Sequence, residues 1–135
     1  MSEGLSVHGK FVGADVADIG EGATLTNGTG FSSVELKVWD TDSLLTQAYA
    51  AGEAGANGIL DFNFVGSVDG STWDTASFAH IHVTMNGATP VVVSGELDVS
   101  MYVKVRLQTI VNNDGAKHGK GMNVNWGKKY PLGIP

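Results

Sequence analysis

The histidines at positions 80 and 82 have the spacing that best suits metal chemistry. Residues two apart on a β-strand project from the same face, so His80 and His82 could share one ion. A third ligand would come from a distant part of the chain, where His118, Glu96 and Asp74 are the available types. Because a histidine pair on a solvated strand face needs no ion, we expect neither a metal nor another cofactor.

Two carboxylates flank the short loop at residues 69–74. The loop lacks the alternating ligands and the closing glutamate of a calcium-binding helix-loop-helix. Asp69 and Gly70 instead suit a tight turn, because glycine adopts positive backbone angles and aspartate binds nearby amides. We interpret Asp69, Gly70 and Trp73 as a fold-defining turn that directs the tryptophan into the core.

No other segment contains the residues of a known reaction centre. Residues 115–121, GAKHGKG, resemble a phosphate loop but lack a Ser or Thr after the lysine and have the wrong glycine spacing. The chain has no GxSxG segment and no cysteine that could act as a nucleophile. We therefore predict that the protein is not an enzyme.

Alternation of apolar and polar residues predicts β-strands over most of the chain. The longest example is residues 97–111, where the odd positions are apolar except for Thr109. Turns rich in Gly, Asn and Asp separate the alternating stretches. We predict an all-β, antiparallel β-sandwich, and a jelly roll is one topology that fits. The other alternating stretches are residues 34–39, 59–65, 78–85 and 122–126.

A length of 135 residues predicts a single domain spanning 1–135. The glycine-rich residues 1–33 suggest an extended N-terminal arm or edge strands, and residues 115–135 suggest a C-terminal arm. Residues 42–51 fit a short helix and a strand equally well, and they are the only candidate helix. If residues 1–33 are an arm, deletion of residues 1–30 should leave a folded domain.

The formal net charge of −6 is unevenly distributed along the chain. Residues 1–103 hold two basic and thirteen acidic side chains, whereas residues 104–135 hold six basic and one acidic. The acidic charge of residues 1–103 argues against nucleic-acid binding. The sequence has no run of eighteen apolar residues, so it does not predict a membrane span. The basic tail could contact an acidic partner. The partner-binding candidates are Lys117, Lys120, Lys128, Lys129 and Tyr130.

Four aromatic residues allow a different function. Trp39, Trp73, Trp126 and Tyr102 could form a stacking platform for sugars, as in a carbohydrate-binding β-sandwich module. Aromatic residues also supply much of the burial in a β-domain. We favour this second role, as core or interface anchors.

The residues from 62 to 113 resemble a pattern in structural proteins of tailed bacteriophages and in discoidin-type carbohydrate-binding modules. The similarity lies in FNFVGSVDGSTWD near its start and MYVKVRLQTIVNN at its end. Discoidin-type modules commonly contain cysteines, which this chain lacks. The phage resemblance implies a capsid decoration or cement protein with a jelly-roll-like sandwich.

The resemblance also implies partners and a location. We expect a non-enzymatic virion structural protein, made in the host cytoplasm, that stabilises a phage capsid through subunit contacts. Its partners would be the major capsid protein or other virion subunits, and copies of itself, with a trimer as the implied oligomer. The first alternative is the carbohydrate-binding module. A tail component and a metal-binding, cupin-like protein are the remaining alternatives.

Overall fold

The computed structural model describes residues 6–129, except for the side chains of Ser6 and Lys129. Within this part of the chain every regular element is a β-strand, and no helix is long and apolar enough to cross a membrane. The strands are β1 (Ser6–Lys10), β2 (Val16–Ile19), β3 (Thr24–Thr26), β4 (Leu36–Lys37), β5 (Ser43–Gly52), β6 (Ile59–Ser67), β7 (Ala79–Thr84), β8 (Val91–Asp98), β9 (Lys104–Asn112) and β10 (Gly119–Lys129).

The strands form two antiparallel sheets packed as a sandwich, which confirms the predicted fold class. In the first sheet the order is β1-β10-β5-β8, and β2 also pairs with β10. In the second sheet the order is β3-β9-β6-β7, and β4 also pairs with β9. Each sheet is therefore three long strands wide, with two short strands sharing one edge.

Alternating side chains from both sheets fill the space between them. Phe62 and Phe64 of β6 are fully buried, and the Phe64 ring lies 5.2 Å from that of Phe11. In β7 the predicted inward residues Ile81 and Val83 are buried. Burial of about 1.5–3 kcal/mol per large apolar side chain makes this interior the main source of stability.

Residues 42–51 are a strand, which settles the alternative that the sequence left open. β5 lies between β10 and β8, and both neighbours satisfy its backbone hydrogen bonds. Leu44, Thr46, Ala48 and Ala50 are buried, whereas Leu45 and Gln47 between them are exposed. This two-residue period fits a strand that is covered on one face.

The prediction of a single long strand over residues 97–111 is wrong. β8 ends at Asp98, and residues 99–103 cross to the second sheet, where β9 begins. Within β9 the inward face also changes, from Leu107 to Ile110, because the β6–β9 register shifts beside Asn63. A β-bulge of this kind inserts one residue and thereby reverses the orientation of those that follow.

The terminal segments are strands rather than free arms in the described residues. β1, β2 and β3 lie within residues 6–33, and Phe11 and Ile19 from this segment are buried in the core. β10 lies within residues 115–129 and is paired on both edges. Residues 6–33 thus follow the edge-strand alternative for the N-terminal segment, whereas β10 is a strand where the sequence suggested an arm. Apolar side chains from both segments lie in the core. Residues 130–135 of the predicted arm lie outside the described residues.

Candidate functional site

One end of the sandwich presents large apolar side chains to solvent. The loops after β4 and β6 and the loop before β9 meet there, because Val38 N–H donates to Val103 O at 2.8 Å and Val103 N–H donates to Ser67 O at 2.9 Å. These loops expose Trp39 by 71%, Met101 by 66% and Val68 by 57%. We call Trp39, Val68 and Met101 the apolar end.

Lys128 fixes the base of the apolar end. Its side chain is only 8% exposed, its Nζ donates to Lys37 O, and it lies 3.1 Å from Asp40 Oδ1. The contact joins β10 of the first sheet to β4 and the following turn of the second sheet. Lys128 was predicted to meet a partner, but the structure engages its ammonium group within the chain.

The structure does not bring the five partner-binding candidates together. Lys120 lies near the start of β10, where its Nζ is 3.0 Å from Asp18 Oδ1. At about 3.3 Å per residue, Lys120 is roughly 26 Å along the strand from Lys128. Lys117 precedes β10 at the same end as Lys120. The Lys129 side chain and Tyr130 lie outside the described residues.

The turn at residues 69–70 has the predicted conformation. Asp69 Oδ1 accepts hydrogen bonds from the backbone N–H groups of Ser71 at 2.8 Å and Thr72 at 2.7 Å, and Gly70 has φ of 84°. The Thr72 and Ser71 amides hold the pKa of Asp69 well below its usual range. The carboxylate is thus part of the turn.

Trp73 was predicted to enter the core, but it does not. The Arg106 guanidinium lies 4.1 Å from the centre of its ring, on the outer face of the second sheet. The core beside this turn is instead occupied by Tyr102, whose ring packs tightly against Gly66. A turn motif does not determine which of two nearby aromatic residues fills the interior.

The four aromatic residues proposed as a sugar platform do not share a surface. Trp39 is at the apolar end, and Trp73 covers the second sheet. Trp126 packs against Gly9 in the first sheet, and Tyr102 is buried beside Phe78 at 4.8 Å between ring centroids. Two of the four therefore act as the favoured core anchors.

His80 and His82 lie on the exposed face of β7, an edge strand. The His80 Nδ1 atom hydrogen-bonds to Asn63 Oδ1. His82 Nε2 lies 3.1 Å from Asp61 Oδ1, close enough for an ion pair when the ring is protonated, although no hydrogen bond forms. Among residues 6–129, no three His, Asp or Glu side chains are grouped to hold a metal ion.

His118, from the GAKHGKG segment, lies between β9 and β10, where the chain passes from one sheet to the other. It contacts acidic side chains near two other such connections, those that follow β2 and β5. Its Nδ1 lies 2.9 Å from Asp18 Oδ1, and its Nε2 lies 2.7 Å from Glu21 Oε2. Its backbone N–H donates to Glu53 Oε1 at 2.6 Å. Two carboxylates at these distances favour the protonated form of the ring, the imidazolium.

Stability should therefore decrease as the pH rises above neutrality. The Asp18 carboxylate, with Glu21 and Glu53, raises the pKa of His118 above its ordinary value of 6.5. A raised pKa contributes stability that is complete below the unfolded value and is lost as pH rises through the folded value. Urea unfolding at about pH 6 and about pH 9 should show this loss.

The matched control for this pH experiment is His118→Gln, which cannot titrate. The pKa of Asp18 is lowered, chiefly by its hydrogen bond from His118, so Asp18 remains charged throughout this pH range. We expect the stability of His118→Gln to vary less between the two pH values than that of the original chain. An equal change in both proteins would contradict the role of His118.

A shallow depression of about 370 Å³ lies on the outer face of the first sheet. Gly127 lines it, and an added Cβ there would have no heavy atom within 4 Å. Asn125 Nδ2 donates to Gln47 Oε1 at 3.3 Å, and Ser94 and Leu45 also line the depression. We call these five residues the glycine groove.

Neither the glycine groove nor the exposure of Met101 at the apolar end was predicted from the sequence. A signal for the groove was present, because a glycine within an alternating stretch indicates a bulge or a close approach to the backbone. The sequence gave no indication that Met101 is exposed, because its odd position within residues 97–111 predicted that it is buried. Only the crossing of residues 99–103 between the sheets exposes it.

No protein family matches the chain by sequence, and no curated protein sequence matches it. A chain in the structure of infectious bursal disease virus Gx strain has a similar fold, with a TM-score of 0.52 and 12% identity. The match covers 96% of this chain and 34% of that chain, so this chain spans about a third of its length. This likeness shows that an all-β sandwich of the same kind occurs in a virus structure.

Two further matches have lower scores. A chain of broad bean stain virus has a TM-score of 0.46 and 12% identity over 100% of this chain and 94% of that chain. The CBM22-1 xylan-binding domain of Paenibacillus barcinonensis Xyn10C has a TM-score of 0.45 and 12% identity over 93% and 97%, respectively. At these scores neither match supports a conclusion about this chain.

Proposed function

We propose that the chain is a non-enzymatic structural protein of a virion, which decorates and stabilises a phage capsid through subunit contacts. The observation that carries this proposal is the apolar end. Trp39, Met101 and Val68 are each more than half exposed, and they lie on adjacent loops. Grouped exposed apolar residues of this size are typical of interaction surfaces.

The apolar end is also held in position before any partner binds. Hydrogen bonds join its loops, and the buried Lys128 ammonium ties the two sheets beneath it. A preorganised surface binds more tightly because less side-chain and loop entropy is lost on association. Trp and Met are enriched at protein interfaces, and tryptophan often contributes most of the binding free energy.

The fold and the positions of the ends of β1 and β10 agree with this proposal. Jelly-roll sandwiches are common in viral capsids, and this sandwich resembles part of a chain in a virus structure. β1 begins and β10 ends beside the apolar end, since Ser6 pairs with Lys129. In this proposal Lys129 and Tyr130 contact the major capsid protein, and copies of the chain associate, with a trimer as the expected form.

Replacing Trp39 and Met101 with serine should abolish association with particles. Tagged protein is expressed in the cells in which the chain is naturally made, and the cell extract is sedimented through a density gradient. The original 14.1 kDa chain should sediment with particles, and the double variant should stay at the top. Because both side chains are exposed, the variant should keep its fold and a stability within about 0.5 kcal/mol.

Val92→Ser is the matched control for the apolar-end experiment. Val92 is 56% exposed but lies on the outer face of the first sheet. This variant should sediment with particles like the original chain. Failure of the original chain to sediment with any particle would contradict the proposal, and so would normal sedimentation of the Trp39 and Met101 double variant.

A further inference from the structure

The glycine groove contains a strand glycine that the fold does not require. Gly127 lies in β10, paired in regular register with His8 on one side and Leu45 on the other. Its φ is not positive, and a Cβ there would meet nothing within 4 Å. By contrast, a Cβ at Gly9 would lie 2.8 Å from the Trp126 ring, so close packing explains that glycine.

A glycine inside a strand weakens the strand, and it commonly marks a bulge, a bend or the close approach of another molecule. The register shift in β10 lies between Lys120 and Asn123, well before Gly127. Neither a bulge nor internal packing therefore accounts for Gly127. The space above Gly127 is therefore open to the close approach of another molecule.

The side chains around Gly127 indicate the chemistry of that ligand. Asn125, Gln47 and Ser94 lie in one row across three strands, because Gln47 pairs with both of the others. Amides and hydroxyls both donate and accept hydrogen bonds. A partner that does the same, such as a sugar hydroxyl, can satisfy them, whereas an ammonium group offers only donors.

The lining of the glycine groove is uncharged. None of the residues that line the groove is acidic or basic. On the same face His8 pairs with Gly127, Lys10 with Asn125, and Glu96 with Leu45. Lys10 lies 3.6 Å from Asp15 Oδ1, and Glu96 Oε1 accepts a hydrogen bond from Ser43 Oγ at 2.5 Å.

We infer that the glycine groove binds a neutral saccharide, with one sugar ring seated over Gly127. Leu45 provides an apolar surface for the C–H groups of the ring, and Gln47, Asn125 and Ser94 bind its hydroxyls. The site lies on the outer face of the first sheet and excludes the apolar end. The inference therefore does not depend on the proposed virion role.

An array of immobilised neutral gluco-, xylo-, manno- and galacto-oligosaccharides tests this site. We expect the original chain to be retained by at least one of them. Gly127→Val should abolish retention, because its side chain fills the groove. This variant should remain folded, since valine favours strands and the added Cβ meets no neighbour. Gln47→Ala should weaken binding about tenfold, measured by calorimetry with the retained oligosaccharide.

Trp73→Ala is the matched control, since Trp73 packs against Arg106 on the other sheet. Its retention should equal that of the original chain. No retention on any neutral oligosaccharide would overturn the inference, as would retention that survives Gly127→Val or is lost in Trp73→Ala. If Gly127→Val instead reduces the oligomer mass in sedimentation and no saccharide is retained, the groove is a contact between copies and the inference fails.

Discussion

Deletion of residues 1–30 is expected to abolish folding. The deletion removes β1 and β2, which form one edge of the first sheet, and β3, one of the two short strands on an edge of the second sheet. It also removes the buried side chains of Phe11 and Ile19, which are 0% and 1% exposed. Losing these two contributions alone would cost roughly 5 kcal/mol or more, a large part of the total stability of most domains.

Circular dichroism and urea titration measure this effect. The truncated chain should show no cooperative unfolding transition, and Phe11→Ser with Ile19→Ser in the full chain should lower the midpoint strongly. Gly13→Ala is the control within the same segment, because Gly13 is exposed and an added Cβ meets nothing within 4 Å. A truncated chain with the original midpoint would show that residues 1–30 are an arm after all.

Gly58→Ala is expected to cause the largest loss of stability of any single substitution considered for this chain, about 3 kcal/mol. Gly58 lies just before β6, and an added Cβ would be 2.6 Å from the Asp114 Cα. This clash is with backbone, which cannot move aside as a flexible side chain can. Asp114 is also fixed, because its carboxylate accepts hydrogen bonds from the N–H groups of Asn57, Gly58, Ala116 and Lys117.

Chemical denaturation of Gly58→Ala and Gly115→Ala separates this clash from a general effect of replacing glycine. Gly115 follows Asp114 directly, but an added Cβ there meets nothing within 4 Å. Gly115→Ala should therefore change the free energy of unfolding by less than about 1 kcal/mol. Equal losses in the two variants would contradict the proposed contact between Gly58 and Asp114.

Local chemistry accounts for what the sequence predicted correctly. The alternation in β7 places Ile81 and Val83 inward because successive side chains of a strand point to opposite faces. The Asp69-Gly70 turn forms because an aspartate and a glycine supply an amide acceptor and a positive φ within four residues. Both features require only neighbours in sequence.

Long-range contacts decided the features that the sequence left open or predicted wrongly. β5 is a strand because β10 and β8, distant in sequence, satisfy its backbone on both edges. Lys128 is buried because the turn at Asp40 lies across from β10 once the sheets have packed. Neither contact has a signature within a short window of sequence.

The sequence by itself thus determined an all-β chain with strands, tight turns and an interior of alternating apolar residues, because these follow from side-chain period and backbone preference. Only the tertiary structure decided which surfaces are exposed. The crossing of residues 99–103 exposed Met101 on a loop next to the one that holds Trp39, and strand pairing placed Gln47 beside Asn125 and Gly127 beside Leu45. Such sites depend on which strands become neighbours, and that is fixed by packing of the whole chain.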